Sequence, residues 1–90
     1  MQGNGKELKA VLTFLQKNFP DHCKFSEIVK GVNLDKEKLR RLITYADDES
    51  LTRPLSASVK GDITEESHRL LGRGIDKLNS WTDADDELII

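Results

Sequence analysis

The side chains of this chain that could carry chemistry are few and scattered. Its two histidines, His22 and His68, lie far apart, and no Cys/His spacing matches a zinc site. Cys23 is the single cysteine, which excludes an internal disulfide. A reactive thiol needs a cationic neighbour or a helix N-terminus to hold the thiolate. Adjacency to His22 does not supply that, so Cys23 is expected to be a small buried hydrophobe beside the second helix. The acid pairs Asp47–Asp48 and Asp85–Asp86 read as solvated ends of elements rather than acid/base pairs. Gly72-Arg73-Gly74 is too short to cradle a phosphate, and no dinucleotide fingerprint, P-loop or nucleophile elbow occurs. The chain is therefore not read as an enzyme, and no catalytic residue, cofactor or metal is expected.

The scaffold that must hold any site is one small domain. Ninety residues can bury a single modest core. A hydrophobic content of 37% beside 33% charged residues fits a folded chain better than a disordered one. No apolar run is long enough to span a bilayer, and MQGNGKEL lacks the apolar core of a signal peptide, so a cytoplasmic location is expected. The net charge of −2 hides an asymmetry: residues 1–44 carry nine Lys/Arg against five Asp/Glu, and residues 45–90 carry five against eleven. The last ten residues hold Asp83, Asp85, Asp86 and Glu87, so the acid is partly a property of the tail. The division expected is a flexible N-terminus over 1–5, a domain over 6–81 and an acidic-hydrophobic tail over 82–90.

Hydrophobic spacing predicts the elements. Leu8, Val11, Leu12, Leu15 and Phe19 form one stripe of a helix that stops at Pro20. A second, short helix covers 24–32, with Ser26 as its N-cap and Phe25, Ile28, Val29 and Val32 on one face. Asp35 is a good N-cap for a third helix running to Asp47 or Asp48. Leu39, Leu42, Ile43 and Ala46 line its inner stripe. Glu37, Arg41, Thr44 and Asp48 point away from that stripe, and Lys38 and Arg40 flank it. Asp47, Asp48 and Glu49 crowd its C-terminus with the wrong sign for the macrodipole. Residues 51–63 read as extended, with Lys60-Gly61-Asp62 as a turn and Ala57, Val59 and Ile63 as apolar points. Thr64 is expected to cap a fourth helix reaching towards Ser80, weakened at Gly72 and Gly74. Residues 82–90 read as either a disordered tail or a last strand.

FSEIVKGVNLDKEKLRRLITYADDESL resembles the helix-turn-helix of the winged helix-turn-helix superfamily, and GDITEESHRLL is similar to the segment that leaves the wing. The resemblance implies a mainly α fold with a small β-hairpin: three helices, a short wing and a C-terminal helix. It also implies a third helix that enters the DNA major groove and a wing that touches backbone. Carried over by position, Lys38, Arg40, Arg41 and Thr44 would be helix contacts, Lys60 the wing contact and Arg53 a phosphate contact. Arginine suits bidentate base and phosphate contacts. The leading expectation is a DNA-binding or transcription-regulatory module with duplex DNA as its partner. Glu37 and Asp48 share the exposed face and weaken that expectation, because phosphate contacts dominate affinity. The alternative is a protein-interaction module of the same fold, acting through Phe14, Tyr45 or the 82–90 tail. A four-helix bundle without a wing is the other architecture, because 51–63 is weak as strands.

Overall fold

The structure, a computed structural model, describes residues 3–55, 58–59, 62–63 and 66–90, with 58–59 and 62–63 described through their backbone alone. The expectations placed on Ala57, on the Lys60-Gly61 turn and on the Thr64 cap fall outside those residues.

The chain runs α1 (Gly5–Lys17), β1 (Cys23–Lys24), α2 (Phe25–Val32), α3 (Lys36–Asp48), β2 (Thr52–Leu55), β3 (Ser58–Val59), β4 (Asp62–Ile63), β5 (Ser67–Leu70), α4 (Gly72–Asn79) and α5 (Asp83–Asp86). Three antiparallel strands form a sheet in the order β1-β5-β2, and β3 and β4 pair as a separate hairpin. This arrangement is a winged helix-turn-helix fold: three helices, a small sheet with a separate hairpin, and two short helices, α4 and α5, that close the domain.

The helical spacing translates directly into the core. Leu8, Val11, Leu12 and Leu15 of α1 meet Ile28 of α2 and Leu39, Leu42, Ile43 and Ala46 of α3, all essentially without solvent exposure. Burying each large aliphatic side chain stabilises the fold by about 1.5–3 kcal/mol before conformational entropy is counted. Phe14 stands off the main stripe, packs against the core from the side and lies where a Cβ on Gly31 would have to be. Gly31 is thus needed for the close crossing of α1 and α2.

Helix ends follow local chemistry. The Asp35 carboxylate accepts the Lys38 N–H at 2.8 Å and supplies one partner for the orphan donors of α3. The turn between α2 and α3 places Asn33 at φ 56°, with its N–H donating to the Val29 carbonyl; asparagine tolerates this left-handed conformation better than most residues. In α2 the cap differs from expectation. Ser26 lies inside the first turn, and Glu27 reaches back to accept the Lys24 N–H at 3.0 Å. A glutamate at the third helical position makes that return bond, and Phe25 becomes the first helical residue.

The largest departure concerns residues 67–71. They form no part of a fourth helix. Ser67–Leu70 is the central strand of the sheet, paired with β1 through Cys23↔His68 and with β2 through Thr52↔Leu70 to Leu55↔Ser67. Its burial alternates: His68 and Leu70 face the core, Ser67 and Arg69 lie more outward. Two ladders override the local helical pattern, as tertiary pairing commonly does. The helix begins only at Gly72, so the glycines mark its start instead of weakening its interior. Gly74 has no room for a side chain, since a Cβ there would collide with the Leu51 carbonyl and Leu70.

Residues 82–90 are neither a disordered tail nor a strand. Thr82 and Asp85 cap the single-turn helix α5, with the Thr82 N–H and hydroxyl donating to Asp85 Oδ2 at 2.9 and 3.1 Å. Lys77 Nζ donates to Asp85 Oδ1 at 2.7 Å and Trp81 Nε1 to Asp86 at 2.8 Å. The Lys77 hydrogen bond, followed by the Thr82 N–H, holds the Asp85 carboxyl below the usual aspartate range. The segment then folds onto the start of α1. The Asn4 side chain donates to the Ile90 carbonyl at 3.0 Å and accepts the Ile90 N–H at 2.8 Å. The Asn4 N–H donates to the Leu88 carbonyl at 2.7 Å.

Candidate nucleic-acid interface

The outer face of α3 is the surface on which the expected contacts meet. Arg40, Arg41, Thr44 and Asp48 are all exposed there. Arg41 makes no ion pair among the described residues, and its guanidinium is free to meet a partner. The Thr44 hydroxyl donates to the Arg40 carbonyl at 2.8 Å, the usual back-bond of a helical threonine, which leaves its oxygen as an acceptor.

Arg40 is more committed. Its guanidinium lies 4.4 Å from the centroid of the Phe25 ring, within cation–π range, and pairs with Glu66 at 2.5 Å. One side chain therefore joins α3 to the start of α2 and to the segment entering β5. The Arg40 hydrogen bond holds the Glu66 carboxyl below the usual glutamate range, against the opposing effect of partial burial. Lys38 faces α1 instead of the open side of α3 and pairs with Glu7 at 3.0 Å.

Arg53 is exposed on β2 and sits directly opposite Arg69 on β5. Cross-strand partners point to the same side of a sheet, and like charges so placed repel. A polyanion would relieve that repulsion. The sequence does not single out Arg69, because 67–71 is compatible with helix; the period-2 burial that betrays its strand is visible only once β1 and β2 are in place. Lys60, the expected wing contact, is outside the described residues.

The residues weighed for a protein partner are largely used internally. Phe14 and Tyr45 pack partly buried against the core, as do Trp81 and Ile90. Phe14 also borders an open groove of about 460 Å³ between α1 and α2, with Lys6, Lys9 and Lys17 on its rim. Ile90 and Tyr45 close one side of a second groove of about 420 Å³ whose other walls are Arg40, Arg41, Thr44 and Asp48. Ile90 thus borders the exposed face of α3. Cys23 is buried, and burial, then Glu27 and Asp21, push its thiol above the ordinary range. That environment suits an inert core cysteine. Among the described residues, no helix is long and apolar enough to cross a membrane.

No protein-family model matches the chain, and no curated protein matches it. Among solved structures, the fold is similar to that of a point mutant of MepR from S. aureus, bound to an oligodeoxyribonucleotide, with a TM-score of 0.68 and 18% identity. The similarity covers 90% of this chain, which spans 57% of the MepR chain.

Proposed function

We propose that this domain binds duplex DNA as a regulatory module, with the exposed face of α3 towards the major groove. The observation that carries the reading is the convergence of Arg40, Arg41 and Thr44 on the open side of α3, on a scaffold similar to MepR in its DNA-bound form. In this reading Arg41 makes the principal base or phosphate contact, because its guanidinium is not spent on an internal pair. Arg40 contributes through the outer edge of its guanidinium while Glu66 holds its orientation. Arg53, beside Arg69 on the sheet, and Lys60, the wing contact expected from the sequence, supply backbone contacts, and Lys38 contributes field rather than direct contact because Glu7 neutralises it. Glu37 and Asp48 border the same face and disfavour unspecific association with polyanion, so affinity depends on a small number of aligned contacts.

The test is titration of the full chain with duplex DNA at several salt concentrations. Affinity is expected to fall with rising salt, and Arg41→Ala is expected to weaken binding and reduce the salt slope by about one. Arg41 is a cleaner probe than Arg40, whose loss would also free Glu66 and uncover Phe25. Absence of binding to mixed-sequence and selected duplexes at low salt, with the fold intact, would overturn the proposal. Removing residues 81–90 is a less direct probe, because it also strips Trp81 from the core.

A further inference from the structure

One buried group has no role in the contacts above. His68 has no solvent exposure, and neither Nδ1 nor Nε2 has a hydrogen-bond partner among the described residues. A buried polar atom without a partner destabilises the fold, so both nitrogens require an explanation. Each nitrogen faces a carboxylate at a separation too long or too poorly aligned for a hydrogen bond. Nδ1 lies 3.4 Å from Asp47 Oδ2 and Nε2 lies 3.6 Å from Glu66 Oε1. Charge-assisted N–H···O bonds are about 2.7–2.9 Å long. The N–H bonds of an imidazolium point to opposite sides of its ring, so two carboxylates accepting from them would stand well apart. Here one donor atom from each of Asp47, Glu66 and His68 lies within 4.8 Å of the other two. Asp47 and Glu66 thus flank the imidazole closely enough for one oxygen of each and one ring nitrogen to share an ion.

Each carboxylate is also oriented from behind. The Thr52 hydroxyl donates to Asp47 Oδ1 at 2.5 Å, and Arg40 binds Glu66 Oε2. In both residues the outer oxygen is occupied and the other turns towards His68. That is the arrangement of ligands aimed by a supporting shell. Asp47 and Glu66 keep 18% and 29% side-chain exposure, which leaves an entry path from solvent.

We propose that Asp47, Glu66 and His68 form a binding site for a first-row divalent transition metal, with one imidazole nitrogen and two carboxylate oxygens as ligands and water completing the coordination. Metal–ligand bonds of about 2.0–2.2 Å bring ligand atoms to mutual separations of about 3–3.5 Å, so side-chain rotations must draw the three donor atoms in from the 4.8 Å within which they now lie. A mixed imidazole and carboxylate set suits zinc, cobalt, nickel or manganese better than magnesium, which prefers oxygen alone. The ligands come from the last turn of α3, the approach to β5 and β5 itself, so the ion would tie the third helix to the strand that leaves the wing.

The test is calorimetric titration of the full chain with Zn²⁺, Co²⁺ and Mg²⁺, together with melting curves and the Co²⁺ absorption spectrum. One Zn²⁺ or Co²⁺ per chain, a raised Tm and no comparable response to Mg²⁺ are expected. Asp47→Asn and Glu66→Gln keep side-chain shape and are each expected to weaken binding more than about tenfold. They carry the test if His68→Asn fails to fold. No binding of Zn²⁺ or Co²⁺, or binding unchanged in both carboxamide variants, would overturn the proposal; the second result would assign the ion to the acidic 83–87 segment or His22. A sulfur-to-cobalt charge-transfer band would also overturn it, by assigning the ion to Cys23.

Discussion

Glu66 shows how one side chain can serve two elements. It neutralises Arg40 on α3 while standing 3.6 Å from His68 on β5. Because its folded-state carboxyl titrates below the usual glutamate range, the stabilisation it contributes is present above that range and is lost as pH falls through the lowered value. Melting curves of the parent chain and of Glu66→Gln should therefore differ most near neutral pH and converge once the pH falls below the usual glutamate range. The difference should stay under about 1 kcal/mol, because half of the Arg40 side chain is exposed and solvent screens the pair. A gap that widens on acidification would show that the carboxylate is not stabilised by Arg40. At this scale the sequence is only partly legible. Arg41 and Thr44 can be placed on the open face from their spacing alone. The pairing of Arg40 with Glu66, and of Lys38 with Glu7, cannot, because each joins residues distant in sequence whose approach depends on how helices cross.

Among the elements, α3 is the most legible and β5 the least. The Asp35 cap, the Leu39-Leu42-Ile43-Ala46 stripe and the stop after Asp48 are local properties of a helix, satisfied by neighbours within one turn. Leu42 has no exposure, so Leu42→Ala should cost about 2–5 kcal/mol in chemical unfolding, and a loss under about 1 kcal/mol would contradict its place in the core. Strand β5 has no comparable local signature. SHRL is compatible with helix, and what makes it a strand is the pair of ladders to Cys23–Lys24 and Thr52–Leu55. Those partners all precede it in sequence, the nearer by a dozen residues and the farther by more than forty, so no window around it could reveal them. The acids that end α3 are a similar case. From sequence they only oppose the helix dipole, whereas in the fold Asp47 is held by Thr52 and faces His68.

For the molecule as a whole, the start of α1 and residues 85–90 hold each other. Asn4 makes three hydrogen bonds to the backbone of Leu88 and Ile90. Gly3 and Gly5 permit that approach, since a Cβ on Gly5 would collide with the Asp85 backbone and one on Gly3 with Glu87 and Leu88. Gly5→Ala should thus release α5 and residues 87–90 while leaving the α1–α3 core folded. Trp81 is the single tryptophan and its indole N–H is bound by Asp86, so its emission should shift to the red with little change in helical circular dichroism. An unshifted emission would mean that the segment re-docks around the added methyl. The same release should open the groove that Ile90 shares with Arg41 and Tyr45.

The sequence by itself determined the three amphipathic helices, the Asp35 cap, the winged helix order and the open face of α3, because helical spacing and capping are written within a few residues of where they act. The tertiary structure decided the central strand, the docking of residues 82–90 onto α1, the opposition of Arg53 and Arg69, and the convergence of Asp47, Glu66 and His68. Each of these depends on bringing together groups far apart along the chain. That proximity is created by packing around the common core, and spacing along the chain does not encode it.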